Sequence, residues 1–145
     1  MALRVGQVRA AMADKLSEVL GADVQVATAP DQVTPPCLLI GMPAVTYNGA
    51  FNARTGTLVA RQGIDSMSMP IYGILPGVSD QAAVDAADEW ISGTGTRSVI
   101  EIMQADPTLG GACASLVVRD ADPDRWQESD TGSLPAYRWT VEVYG

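Results

Sequence analysis

Histidine is absent from the 145 residues, and that removes much of ordinary enzyme chemistry. No Ser-His or Cys-His nucleophile pair can be built, the commonest general base is missing, and the usual zinc sets lose a ligand. Lysine is nearly absent too: Lys15 is the single one, and the rest of the nine cations are arginines. With 17 acidic residues the formal charge is −8, a poor balance for gripping a phosphate backbone, which needs clustered cations. Such a chain can lie beside DNA without adhering to it. The two cysteines, Cys37 and Cys113, each adjoin apolar runs, which points to buried free thiols. No stretch approaches a membrane span, and residues 1–20 are too polar and too regularly amphipathic for a secretion signal. The expectation is a soluble protein of a reducing cytoplasm, with no cofactor implied.

Hydrophobic residues make up 47% of the chain, which suits one domain over residues 1–145. At this length folding buries roughly two thirds of the unfolded chain's surface, enough for a core without staples. Val5, Val8, Met12, Leu16, Val19 and Leu20 recur at helical steps, and Gly21 supplies a stop. That pattern predicts an amphipathic helix with one buried face. Gln25-Val26-Ala27 reads as a short strand, residues 29–36 as a proline-rich rigid loop, and Cys37-Leu38-Leu39-Ile40 as a central strand apolar on both faces. Along residues 64–75, Met67, Met69, Ile71 and Leu75 alternate with Ser66, Ser68 and Tyr72. Period two predicts a strand there, with Pro70 arguing for an edge position or a bulge.

Ser79 and Asp80 open a second helix with Ala83, Val84, Ala87, Trp90 and Ile91 as its buried stripe, closed by Gly93. Ser98-Val99-Ile100-Glu101 matches a capping box and starts a short third helix reaching about Gln104. Strands follow at residues 116–118 and at the C-terminus, where Tyr137, Trp139, Val141 and Val143 alternate with Arg138, Thr140 and Glu142. Residues 120–133 read as a charged loop. The expected fold is α+β, with helices packed on one face of a mainly antiparallel sheet in the order α-β-β-β-α-α-β-β.

The most informative stretch is residues 35–79. A short run ending Tyr47-Asn48-Gly49-Ala50-Phe51 leads into a polar, glycine-bearing segment carrying Arg54 and Arg61. Residues 49–63 are therefore expected to form a projecting β-arm, and an arm of that polarity contributes nothing to a compact domain unless something outside the fold binds it. Phe51, Asn52, Arg54 and Arg61 in the arm, and Arg125 and Trp126 in the charged loop, are the candidate contact residues. Each has a plainer reading: solvated hairpin charges for Arg54 and Arg61, surface packing for Trp126.

No catalytic or metal set emerges. Asp85, Asp88 and Glu89 lie off the apolar stripe of the second helix and read as a solvated or interface face. Gly93-Thr94-Gly95-Thr96-Arg97-Ser98 offers an anion site at a helix start but lacks the preceding strand and the Gly-Lys of a phosphate loop. Asp120-Ala121-Asp122-Pro123-Asp124 imitates a calcium loop, yet Arg125 replaces its glycine and Thr131 stands where the bidentate glutamate belongs.

The chain resembles the tail terminator (tail completion, head–tail joining) proteins of long-tailed siphophages over nearly its whole length. The carriers are the amphipathic start over residues 5–20, Pro35-Pro36 entering an apolar strand, and Tyr47-Asn48-Gly49-Ala50-Phe51. Pro76-Gly77-Val78-Ser79-Asp80, Trp90-Ile91-Ser92-Gly93, Ala105-Asp106-Pro107-Thr108-Leu109-Gly110-Gly111 and the terminal strand over residues 139–144 complete the set. The resemblance implies a non-enzymatic virion protein, assembled in the bacterial cytoplasm. It implies a homo-hexameric ring that caps the tail tube, stops its polymerisation and joins it to the head neck. Its implied partners are the major tail tube protein and a head–tail stopper or neck protein, with genomic DNA passing through the lumen without specific binding and no membrane involved. Another neck ring, a stopper or adaptor, is the alternative in the same class; a small-molecule-binding domain or carboxylate-dependent enzyme is the alternative outside it.

Overall fold

The computed structural model describes residues 3–21, 24–29, 34–52, 57–76, 81–129 and 132–145, with backbone alone at 48–52, 57–63, 65, 83, 128 and 129. The fold is mixed α+β: the described residues form three α-helices and a mostly antiparallel six-stranded sheet. The helix α1 (Val5–Leu20) buries Val8, Met12, Leu16 and Leu20 on one line of four-residue steps and ends at Gly21, whose φ of 73° is left-handed. Val19, expected on that face, is instead 43% exposed. Its position lies about 100° around the helix from Leu20, outside the single stripe the sheet accepts.

Strand β1 (Gln25–Ala27) pairs in parallel with β2 (Cys37–Ile40), and β2 pairs antiparallel with β4 (Thr57–Ile74). A strand outside the expected order, β3 (Ala44–Asn52), also pairs with β4, from Ala44↔Ser68 to Asn52↔Thr57. β4 then pairs with β6 (Gly132–Tyr144), and β6 with β5 (Ser115–Ser129). The sheet order is β1-β2-β4-β6-β5, with β3 alongside β4.

Pro70 does not mark an edge strand or a bulge: β4 has neighbours on both sides. Ile71 still faces Ile40 of β2 while Ser68 already faces Ala44 of β3, so Pro70 lies opposite the break over residues 41–43. Its carbonyl accepts from Gly41 N–H at 2.8 Å, and its missing N–H falls on the same side, where no ladder partner stands.

The expected charged loop over residues 120–133 is a further correction. Residues 115–129 run as strand β5, and Asp120, Asp122 and Asp124 sit opposite Thr140, Arg138 and Ala136. The register slips between Val118 and Asp120, leaving Arg119 as the extra residue of a bulge, and shifts again between Gln127 and Ser129 near the ribbon's end. Leu116 and Val118 face the core before the slip; after it Ala121 does, and the aspartates take the other face. A sequence whose alternation changes phase looks like no strand at all.

Helix α2 (Gln81–Ile91) is followed by α3 (Val99–Gln104) and a 3₁₀ turn (Leu109–Gly111). Ala87 and Trp90 of α2 are buried, Ile91 is half-buried and Val84 is 44% exposed, so the expected stripe holds only toward the helix's C-terminal half. The expected Ser79 cap lies outside the described residues. Ser98 caps α3, as expected: its Oγ accepts from Glu101 N–H at 3.3 Å and donates to the Ser92 carbonyl, tying α3 to the end of α2. The reciprocal half of the capping box is different, because the Glu101 carboxylate accepts from Gly95 N–H and not from Ser98.

The three helices share one core with one face of the sheet. Met12, Leu16, Trp90 and Met103 pack with Leu38, Met69, Ile71, Trp139 and Val141. A smaller cluster on the opposite face holds Ala27, Cys37, Leu39, Ile74 and Ala136, flanked by Tyr72, Trp126 and Leu134. Gly73 lies where the two tryptophans meet the sheet. A Cβ there would stand 2.7 Å from Trp139 Cζ3 and 3.0 Å from Trp90 Cε3, and both rings are buried, with no room to yield. Gly73→Ala is expected to cost about 1–3 kcal/mol through this overpacking. The midpoint of urea unfolding should fall accordingly, and an unchanged midpoint would show that the rings shift freely.

Candidate interaction surface

The contact residues expected from the sequence fall at two opposite ends of the sheet. Phe51 and Asn52 end β3, opposite Leu58 and Thr57, and Arg61 lies on β4 just inward of them. This end extends past the row where Ser66 meets Tyr144, the last residue of β6. The side chains of Phe51, Asn52 and Arg61, and all of Arg54, lie outside the described residues.

Arg125 and Trp126 belong to the other end. β6 begins at Gly132 but reaches β4 only at Ala136↔Ile74, so the far part of the β5–β6 ribbon extends past β4. Arg125 is exposed, and its Nε donates to Ser133 Oγ at 2.8 Å. Trp126 is half-buried: its ring centroid lies 5.4 Å from that of Tyr72, and it packs against the second-face cluster. The indole therefore helps roof Cys37, Leu39 and Ile74.

The sites weighed for chemistry resolve into structural contacts. Asp85, Asp88 and Glu89 are exposed, with Gln81 donating to Asp85 at 2.9 Å and Arg97 pairing with Glu89 at 3.3 Å. At the 93–98 connection the Glu101 carboxylate already occupies the Gly95 amide that an anion would use. Asp120, Asp122 and Asp124 are spaced along an extended strand, where alternate residues stand roughly 6.6 Å apart and do not converge on one ion. Asp124 instead faces Arg138 at 3.8 Å. Among the described residues no group of three acidic, cysteine or histidine side chains is placed to hold a metal.

A cluster that sequence reasoning missed lies on the face opposite the helices. Glu142 accepts from Tyr144 Oη–H and pairs with Arg119 Nε at 2.6 Å. The i, i+2 spacing of Glu142 and Tyr144 put them on one face of a strand, but Arg119 reaches them only because it is the bulged residue of β5. The hydrogen bond from Tyr144, then that from Arg119, holds the Glu142 carboxyl below its ordinary range.

On the same face, burial pushes the Cys37 thiol up to about 11, outweighing a hydrogen bond with the Thr34 backbone. Cys113 is raised as well, by burial and then by Asp106, and its Sγ meets the Pro107 carbonyl at 3.4 Å. Both cysteines are free and buried.

No protein-family model matches the chain, and no curated protein matches it significantly.

Two outcomes follow from these charges and thiols. A depressed carboxyl stabilises the fold above its unfolded-state pKa of about 4.3 and loses that contribution as pH falls through the lower folded value. Glu142→Gln should thus be less stable than the parent at neutral pH, with the gap closing in acid. A gap that persists at low pH would assign the effect to packing. Neither cysteine should react with a thiol reagent at pH 8 in the native protein, because both are buried and burial holds their thiols protonated. Both should react once denaturant unfolds the chain; prompt reaction of the native form would contradict the burial.

Proposed function

We propose that this chain is a structural virion protein: a tail terminator that assembles as a hexameric ring on the end of a siphophage tail tube. It stops further tube polymerisation and joins the tube to the head neck. The observation that carries the reading is the length of the ribbons. β4, β5 and β6 run 18, 15 and 13 residues, against a usual five or six. Their far ends extend past the strands they share with the rest of the sheet, which favours contact with other subunits. In this reading residues 49–63 are the projecting arm, and Phe51, Asn52, Arg54 and Arg61 serve one set of contacts. Arg125, with Trp126 packed beside it, serves the other.

Two further features support it. The ordered series of resemblances runs from the first helix to the last strand. The face of the sheet away from the helices carries Asp120, Asp122 and Asp124 in a chain of charge −8, and an acidic wall repels phosphate, which favours DNA passage over DNA binding. The role is non-catalytic and needs no cofactor, and the chain's partners are its own copies, the tube protein and a neck protein.

Electron microscopy of particles assembled with this gene disrupted tests the reading. Overlong, headless tubes are the expected result. Tails of normal length that fail to join heads would transfer the protein to the stopper or adaptor role, and normal infectious particles would end the virion reading.

A further inference from the structure

At the level where β2 has ended, the sheet is four strands wide. Ala44, Ser68, Glu142 and Val117 form one row across β3, β4, β6 and β5; Thr46, Ser66, Tyr144 and Ser115 form the next. Each neighbouring pair is antiparallel, so β3 and β6 run one way and β4 and β5 the other. The two outer strands therefore run opposite to each other.

Among the described residues neither outer edge pairs with another strand. Over residues 44–46 of β3 and 115–118 of β5 both lack the usual guards, since the register shifts of β3 against β4 begin only after Thr46 and that of β5 only after Val118. β3 (AVTYNGAFN) contains no charge and no proline over its nine residues. On β5, Ser115, Leu116, Val117 and Val118 are likewise uncharged, and the protective features begin only beyond them, with the bulge at Arg119, the aspartates and Pro123. Natural edge strands are blunted by charge, proline, bulges or shortness, because an open row of N–H and C=O groups is a template for another strand. The remaining edge strand, β1, is blunted by its length of three residues. The unguarded edges also carry exposed apolar side chains: Tyr47 is 71% exposed and Val117 45%, while Ala44 and Thr46 beside them are exposed too.

We infer that these edges bind a second copy of this chain head to tail, the outer edge of β5 over residues 115–118 pairing with the outer edge of β3 over residues 44–46, the part of β3 that precedes its register shifts. The strand directions select this arrangement. With an even number of alternating strands, a copy added in the same orientation presents β3 antiparallel to β5, and the alternation continues unbroken through the junction. Backbone pairing supplies the affinity and the cross-strand side chains the register. Without a register offset, Ala44 of one copy lies level with Val117 of the other, both on the face away from the helices. Different patches meet at each junction, so the contact repeats and closes into a ring when the rotation permits. The inference gives the proposed ring a joining surface, but it stands on strand direction and edge composition and does not depend on where a ring sits in a particle.

Cysteine cross-linking of the purified protein tests it, since the two native thiols are buried and both chosen positions are exposed. The A44C/V117C chain should give a ladder of disulfide-linked copies on mild oxidation, while an equimolar mixture of A44C and V117C should stop at a linked pair. T46C/V117C, offset by two residues, serves as the alternative register. A44C alone and V117C alone should remain unlinked, and unchanged thermal unfolding under reducing conditions should show that the substitutions leave the fold intact. Links between two 117 positions or between two 44 positions would establish a two-fold contact and overturn the head-to-tail arrangement. So would the absence of any link at the highest soluble concentration. Particle morphology reads the terminator role separately: ladders with normal particles would retain the edge contact and discard that role.

Discussion

The structure depends on β4 being bonded along both flanks while packing on one face against the helices. β2 and β3 lie end to end on one side of it, β6 on the other. The alternation of Met67, Met69, Ile71 and Gly73 then sets which residues of every neighbouring strand face the helices. The absence of a side chain at Gly73 is part of the same constraint, because the Trp139 and Trp90 rings occupy the space a Cβ would need. Gly41 plays a similar part at the other crossing: a Cβ there would lie 2.9 Å from Pro70 Cγ and 3.0 Å from Tyr72 Cε2. Close approach at Gly41, whose N–H donates to the Pro70 carbonyl, lets a proline sit in a doubly flanked strand.

The bulge at Arg119 gives the sheet its two characters. Before it, β5 contributes Leu116 and Val118 to the helix-covered core; after it, the same strand sends Asp120, Asp122, Asp124 and Trp126 to the uncovered face. One extra residue thus converts an apolar edge into an acidic row ending in an indole. It also brings the guanidinium of Arg119 to Glu142 at 2.6 Å. The exposed ion pair is a small contribution to stability in screened solvent. The ribbon end beyond it packs Trp126 and Leu134 on Tyr72, Cys37, Leu39 and Ile74, so the second face has a small core of its own at one end and open, polar surface elsewhere.

The division of the sheet also arranges what surface is left for partners. On the helix side the inner faces of the helices are occupied by the chain's own core, and two polar groups serve local tasks: Ser98 ties α2 to α3, and Glu101 takes the Gly95 amide. Outward lie the polar faces of the helices, the aspartate-bearing face of the sheet, the two ribbon ends and the two strand edges.

Local physics made much of this legible from the residues alone. The first helix with its glycine stop, the short strand at Gln25, the four-residue apolar strand at Cys37, the Ser98 cap and the alternating last strand each follow from a periodicity or a capping preference carried by neighbouring residues. The α+β class followed from their order. What the sequence could not carry were the features created by residues far apart in the chain. β3 is a strand because β4 pairs with it; its own pattern is too uniform to announce a face. β5 was hidden by the phase change at its bulge. Pro70 took its place from a break in a neighbouring strand. Trp126 became a roof over Cys37 only when its ribbon met β4 and β2. Propensity and periodicity are properties of adjacent residues and are written in the chain, whereas register, edge exposure and the choice of face come from pairing, which only the assembled sheet decides.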